Sequence, residues 1–175
     1  LIFVPFEKEH YWRLLEWVPN AAFNLLWGGP LYQYPLTLSQ VEMHLSSPGV
    51  YPFMLVDDTQ VIGYVEVVDQ GQGRFRLCRV LVVDPNARGK GIGERLVNLA
   101  IEYAKKHFNA STMTLGVFEQ NYAARRCYER LGFVYDKRER YCDFEDEKWL
   151  CFEMYLHLKV QPTIAVDPSK QLKSQ

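Results

Sequence analysis

Apolar positions recur along the chain at two periods, and together they outline its elements. Leu1–Phe6 is a short apolar run read as a first strand. Tyr11, Leu14, Leu15 and Val18 then fall at helical spacing within Glu7–Val18. Trp27-Gly28-Gly29-Pro30 has the composition of a turn. Thr37 or Ser39 is placed to cap a second helix through Leu45, with Val41 and Leu45 inward. Tyr51–Val56 and Val61–Val68 flank the turn-like Asp57-Asp58-Thr59-Gln60 and predict a hairpin. After Gly71-Gln72-Gly73, Arg74–Val83 predicts a long strand. Its second half, Val80-Leu81-Val82-Val83, is apolar throughout, as in a strand buried on both faces. Ile92, Leu96, Leu99, Ala100, Tyr103 and Ala104 form the core stripe of a helix. Thr112–Val117 reads as a strand and Asn121–Leu131 as a helix stopped by Gly132. Phe133–Tyr135 and Trp149–Leu158 read as the last two strands, with the charged stretches Asp136–Arg140 and Asp143–Lys148 around their connection.

The resulting order is β-α-α-β-β-β-α-β-α-β-β. Strand, helix and strand in the middle form a βαβ unit, and hence a parallel pair at strands 4 and 5. The flanking hairpins imply antiparallel neighbours. The expected fold is α/β (mixed α+β), a central, mostly antiparallel, twisted sheet of about seven strands with helices on both faces. Residues 1–158 are expected to form a single domain, and the polar, glycine-free 159–175 a C-terminal extension or tail.

Composition narrows the function classes. A net charge of −1 offers no field for nucleic acid or an anionic membrane, so neither is expected as a partner. Cys78, Cys127, Cys142 and Cys151 are scattered without a CxxC pair, which fits a reduced, cytoplasmic protein and predicts neither a disulfide framework nor a metal site. Leu1–Phe6 is too short for a signal peptide or a membrane span. Asn109-Ala110-Ser111 matches a glycosylation acceptor, but nothing else suggests secretion. The chain begins without Met, so a few residues are expected to be missing or processed at its start.

The most informative stretch joins the long apolar strand to the best-marked helix: Val82-Val83-Asp84-Pro85-Asn86-Ala87-Arg88-Gly89-Lys90-Gly91-Ile92-Gly93-Glu94-Arg95-Leu96. Glycines let backbone N–H groups approach a ligand, the helix start adds partial positive charge, and Arg88 and Lys90 add full charges. This is a site for a phosphate or pyrophosphate. A nucleoside-triphosphate P-loop needs Gly-Lys-Ser/Thr, and here Gly91 follows Gly89-Lys90. A dinucleotide fingerprint needs a third glycine where Glu94 or Leu96 stands. What remains is Arg-x-x-Gly-x-Gly at Arg88, Gly91 and Gly93, or a plain tight turn into a helix.

A second motif follows the next strand: Asn121-Tyr122-Ala123-Ala124-Arg125-Arg126-Cys127-Tyr128-Glu129-Arg130-Leu131-Gly132-Phe133, in which Asn121 and Tyr128 lie two helical turns apart on one face. Both motifs, in this order and about thirty residues apart, resemble the GNAT family of acetyl-CoA-dependent N-acetyltransferases over roughly Tyr51–Leu158, in a chain long enough for such a domain. The resemblance implies the acyl-CoA N-acyltransferase fold and acetyl-CoA as donor substrate, without a metal. It implies that the loop Arg88, Gly89, Lys90, Gly91, Ile92, Gly93 and Glu94 holds the pyrophosphate through backbone N–H groups. It further implies that Leu81, Val82 and Val83 pair with the pantetheine arm as an added strand, one N–H polarising the acetyl carbonyl. Asn121 corresponds to the residue that hydrogen-bonds that arm, beside the ordinary alternative of a helix N-cap. Tyr128 corresponds to the general acid that protonates the departing thiolate, the alternative being a core aromatic. Arg125 and Arg130 either reach phosphates or are solvated.

The resemblance leaves the acceptor and the base open. The branch that acetylates ribosomal-protein N-termini carries a glutamate five residues before the asparagine, where this chain has Gly116. Glu66 is the base candidate chosen here, with Glu119, His44 and a water relay beside it. Trp12, Trp17, Phe23, Trp27, Tyr32, Tyr34, Tyr141 and Trp149 make the expected acceptor side aromatic, and the Trp27–Pro35 loop is its pocket candidate. The expected activity is transfer of acetyl to a primary amine by direct attack in a ternary complex, the acceptor being a small molecule. A protein or peptide N-acetyltransferase and a non-catalytic acyl-CoA sensor are the alternatives. A homodimer is compatible with the resemblance.

Overall fold

The computed structural model describes residues 1–159. Strands β1 (Ile2–Pro5), β2 (Val50–Asp57), β3 (Gln60–Asp69), β4 (Arg74–Val82), β5 (Thr112–Phe118), β6 (Val134–Phe144) and β7 (Glu147–His157) form one sheet in the order β1-β2-β3-β4-β5-β7-β6. The pair β4·β5 is parallel and the others are antiparallel, as the sequence order predicts.

Alternation along the strands divides the side chains between two faces. Phe53, Leu55, Val65, Val67, Phe75, Leu77, Met113 and Leu115 face helix α4 (Ile92–Phe108), which answers with Leu96, Val97, Ala100, Ile101 and Ala104. Helix α5 (Tyr122–Arg130) adds Tyr128 to the same core. Phe6, Met54, Tyr64 and Leu81 face the other way, onto α1 (Trp12–Trp17) and α3 (Leu38–Leu45), which bring Leu14, Val41 and Leu45. Thr37 caps α3 by accepting from Gln40 N–H at 3.2 Å. Lys105, Lys106 and His107 lie in the last turn of α4, where they complement its dipole.

Three elements depart from the sequence reading. A helix, α2 (Ala21–Gly28), occupies residues read only as loop and turn; it is capped by Asn20, whose side chain accepts from Phe23 N–H at 2.8 Å. The expected helix Glu7–Val18 is a 3-10 turn, Lys8–His10, followed by the short α1. The last hairpin is longer than predicted, since β6 runs through the charged 136–140 stretch on the sheet's edge, where its side chains reach water. The expected tail, from residue 160 onward, lies outside the described residues.

Two features of β4 position the site. Its pairing with β5 runs only from Arg74↔Thr112 to Leu77↔Leu115. Beyond that, β4 stays paired to β3 as far as Gly63↔Val82, and β5 to β7 as far as Phe118↔Cys151, so the two strands part. Within the same stretch β4 bulges. Tyr64 opposes Leu81 and Glu66 opposes Cys78, so Arg79 and Val80 together face Val65, and Arg79 takes φ 52°. The extra residue inverts the strand's alternation: Leu77 and Val80 pack towards α4, whereas Leu81 packs on the opposite core.

Candidate functional site

The gap between β4 and β5 is the floor of a continuous cleft. One half, about 520 Å³, lies among the end of β4, the glycine loop and the start of α5. The other, about 380 Å³, lies among β4, β5, β7 and the end of α2. Trp27, Val80, Asn121 and Tyr128 line both halves.

The first half begins at the loop. Asp84 closes a 3-10 turn, Pro85–Ala87, by accepting from Asn86 N–H at 2.9 Å. Gly89 and Gly91 have φ 76° and 82°, a region costly for any residue with a Cβ, and open space lies where such a Cβ would point. The left-handed Gly91 starts α4 with no side-chain cap. The first intrahelical bond runs from Arg95 N–H to Gly91 C=O, so the N–H groups just before Arg95 have no acceptor within the helix. Arg88, Gly89, Gly91, Gly93 and Glu94 line this half, together with Arg126 and Arg130, and Arg130 is paired with Glu94. Lys90, Ile92 and Val83 do not line it.

Strand β4 supplies main chain to the same half through Val80, Leu81 and Val82. Val83 N–H donates to Ile62 C=O at 3.0 Å. In an antiparallel ladder the neighbouring Val82 N–H and C=O then point to the other edge, into the gap. Arg88 Nε donates to that Val82 C=O at 3.3 Å and its guanidinium stands over the Phe23 ring, so the loop is tied across the cleft to α2.

Asn121 performs the capping role and lines the cleft as well: its side chain accepts from Ala124 N–H at 3.4 Å. Tyr128 is 7% exposed, where the two halves meet. Burial pushes its phenol well above the ordinary range, so it holds its proton. Burial likewise pushes the neighbouring Cys127 thiol up to about 11, and those of Cys78 and Cys151 upward, so these thiols are poor nucleophiles near neutrality.

Glu66 stands elsewhere than a base requires. It is fully buried and lines neither half of the cleft. Its Oε2 lies 2.6 Å from Arg79 Nη2 and 2.7 Å from His44 Nε2, and its Oε1 accepts from Tyr64 O–H at 2.8 Å. Burial alone would raise its pKa, but the Arg79 guanidinium and the hydrogen bonds from His44 and Arg79 outweigh it and hold the carboxyl at about 2. These contacts argue against Glu66 as the base: both oxygens are occupied, and a carboxyl held this acidic accepts protons poorly. The cluster pins the bulge instead. Arg79 also donates to Gly28 C=O at 3.3 Å, and its own carbonyl accepts the Trp27 indole N–H at 2.9 Å. Nothing in the periodicity marked Arg79, because a bulge is invisible until the register is known.

The alternatives fare similarly. His44 belongs to the same cluster, and Glu119 is exposed and lines neither half. Arg125 is tied to the Glu119 carbonyl at 2.8 Å and does not line the cleft. Gly116 lines the second half beneath Arg76 and Arg140. Of the aromatic set, Trp27 and Phe23 reach the cleft, Trp17, Tyr32 and Trp149 pack in apolar clusters, and Trp12, Tyr34 and Tyr141 are exposed.

Comparison with known proteins adds the family. The sequence model of the Acetyltransferase (GNAT) family matches residues 7–133. The spermidine N(1)-acetyltransferase of Escherichia coli (strain K12) is 26% identical over 130 residues, 74% of this chain and 70% of that protein. The crystal structure of spermidine N-acetyltransferase from Vibrio cholerae in complex with CoA and spermine superposes with TM-score 0.75 at 19% identity, covering 89% of this chain and 94% of that one. Ribosomal-protein-alanine N-acetyltransferase from Brucella melitensis superposes with TM-score 0.72 at 20% identity, covering 90% and 100%. The two structural likenesses concern the fold, which enzymes named for different acceptors share.

Proposed function

The chain belongs to the GNAT family of acetyltransferases and is an N-acetyltransferase, and from that premise we propose that it transfers acetyl from acetyl-CoA to the primary amine of a small molecule, by direct attack with both substrates in one cleft. The observation that carries the proposal is Tyr128, a protonated phenol at the junction of a glycine-loop half and a separate second half.

The residues present fit the donor. Unpaired N–H groups at the start of α4, with Arg88 and Arg126 on the walls, suit the pyrophosphate. The Val82 N–H and the side chain of Asn121 suit an amide-bearing arm laid along the open edge of β4. Bound there, the donor supplies an acetyl thioester. As the amine nitrogen bonds to the acetyl carbon, the carbon–sulfur bond breaks and Tyr128 O–H gives its proton to the leaving sulfur, while the proton shed by the acylated nitrogen passes through water and restores the Tyr128 phenol. A β4 N–H holds the carbonyl oxygen as charge develops on it. The raised thiol pKa values at Cys127, Cys78 and Cys151 support direct attack over an acyl-cysteine relay.

Among the described residues no Asp or Glu lines the second half, so the amine arrives neutral or gives its proton to water. A lysine-like amine of pKa near 10.4 is disfavoured by roughly 4–5 kcal/mol at neutral pH, whereas an amine near 8 costs only about 1 kcal/mol. Activity should therefore rise with pH until the acceptor amine has lost its proton. The relatives named for spermidine support a small-molecule acceptor. Thiol release from acetyl-CoA across a panel of amines tests the proposal. Silence throughout, from folded protein that binds CoA, would refute it.

A further inference from the structure

The second half of the cleft carries a charge inventory that suits one kind of amine and opposes another. Building on the proposed acetyl transfer, we infer that the acceptor is a small amine that also bears a carboxylate or comparable anion, and that Arg140 recognises that anion.

Among the described residues three guanidinium groups line this half, those of Arg76, Arg79 and Arg140, and no carboxylate does. Two carboxylates stand behind them. Arg79 is matched by Glu66 at 2.6 Å, and Arg76 makes a two-pronged pair with Glu153, both bonds 2.8 Å. Arg140 has only a share of the same Glu153, at 3.3 Å. Among the described residues these three guanidinium groups have two carboxylates as direct partners, and Arg140 holds the weakest share of them; its side chain is 53% exposed, against 18% for Arg76 and 9% for Arg79.

Gly116 lies directly beneath two of these groups. A Cβ there would lie 2.7 Å from Arg76 Nη2 and 2.8 Å from Arg140 Nη2, so both guanidinium tips rest on the bare backbone of β5 and would have to shift for any larger residue. Two positive groups thus cover the strand position that bears a glutamate in the ribosomal-protein branch. Leu26, Trp27 and Phe118 supply apolar wall nearby. The acid-rich turn between β6 and β7 does not reverse the balance, because none of its carboxylates lines this half and Asp143 is already paired with Lys148.

A polycation entering this half meets three guanidinium groups and, among the described residues, no lining carboxylate. An amine carrying a carboxylate can set that group against the Arg140 fork, a planar match for two oxygens, and hold the amine towards Tyr128 with its apolar body on the Trp27 wall. The chemistry therefore points to aminocarboxylates with an apolar body rather than to polyamines.

The test compares matched pairs on the full chain: leucine, methionine and phenylalanine against the amines left by removing their carboxylates, with spermidine and spermine alongside. The readout is thiol release from acetyl-CoA. The expected result is a kcat/KM at least about tenfold higher for each aminocarboxylate than for its decarboxylated partner. Arg140→Gln should raise KM for the aminocarboxylates by about tenfold and so remove most of their advantage over the plain amines. Preference for spermidine or for the plain amines overturns the inference while acetyl transfer stands. Turnover of no amine by folded, CoA-binding protein overturns both. The wild-type comparison decides the matter even if Arg140→Gln does not fold.

Discussion

Glu66→Gln separates a positioning role from a basic one. The substitution keeps the side chain's shape and removes its charge, leaving the Arg79 guanidinium buried without a counter-ion. Arg79 is poorly placed to tolerate this, since its Nε is already buried without a partner. Removing one member of a buried ion pair costs about 3–5 kcal/mol. An independent route gives a similar size: a carboxyl held at about 2 in the folded chain against 4.5 in the unfolded one corresponds to about 3 kcal/mol. The sign follows from the lowered value. The unfolded chain takes up the proton near pH 4.5 and the folded chain only near 2, so the stabilisation is complete above 4.5 and is lost as pH falls towards 2. Urea unfolding followed by tryptophan fluorescence should show Glu66→Gln less stable by about 3–5 kcal/mol near neutrality, a large part of a typical total. In the acid range its stability should fall less steeply than that of the wild type. A loss below about 1 kcal/mol, or an identical acid slope, would refute the ion-pair reasoning. A variant of unchanged stability that had lost kcat would restore Glu66 as the base.

Further substitutions test the donor half. Tyr128→Phe should lower kcat by roughly ten- to a hundredfold in steady-state thiol release, the lower range for a general acid because a thiolate leaves well unaided; unchanged turnover at every pH would remove the acid role. Arg88→Ala should weaken CoA by about tenfold in calorimetry, and an unchanged affinity would refute the pyrophosphate assignment. Gly91→Ala should cost about 1–2 kcal/mol of stability through its φ of 82°, and should weaken CoA as well; a neutral result would show that the loop tolerates a Cβ.

The sheet was legible from sequence because each strand carried its own period and each hairpin its own turn. Helix α2 was not, since its residues are apolar nearly all round and include a buried Asn24, so no polar face marked a helix. Pro19-Asn20 before the apolar run was the available signal, a cap that could have been weighed. Strand β6 hid behind its charges because an edge strand can bear them on open faces. The donor half rests on glycine spacing and main chain, which a motif records. The acceptor half rests on Arg76 and Arg79 of β4 and Arg140 of β6, two strands far apart in sequence, and these side chains converge beside a bulge and the bare backbone of Gly116. No local pattern in the chain expresses that convergence.

The bare backbone at Gly116 also constrains which sequences can neighbour this one. Gly116→Glu alone would bring a Cβ within 3 Å of the tips of both guanidinium groups, which must swing aside, and would set its carboxylate between two cations, so it is expected to pair with them rather than stand free as a base. Freeing that carboxylate to act as a base requires replacing Arg76 and Arg140 as well, and that step strands Glu153, which both of them neutralise. The four positions therefore form one mutational unit. A stepwise path between the cationic wall and an acidic one runs through weakened intermediates, and libraries meant to change the acceptor should vary these positions together.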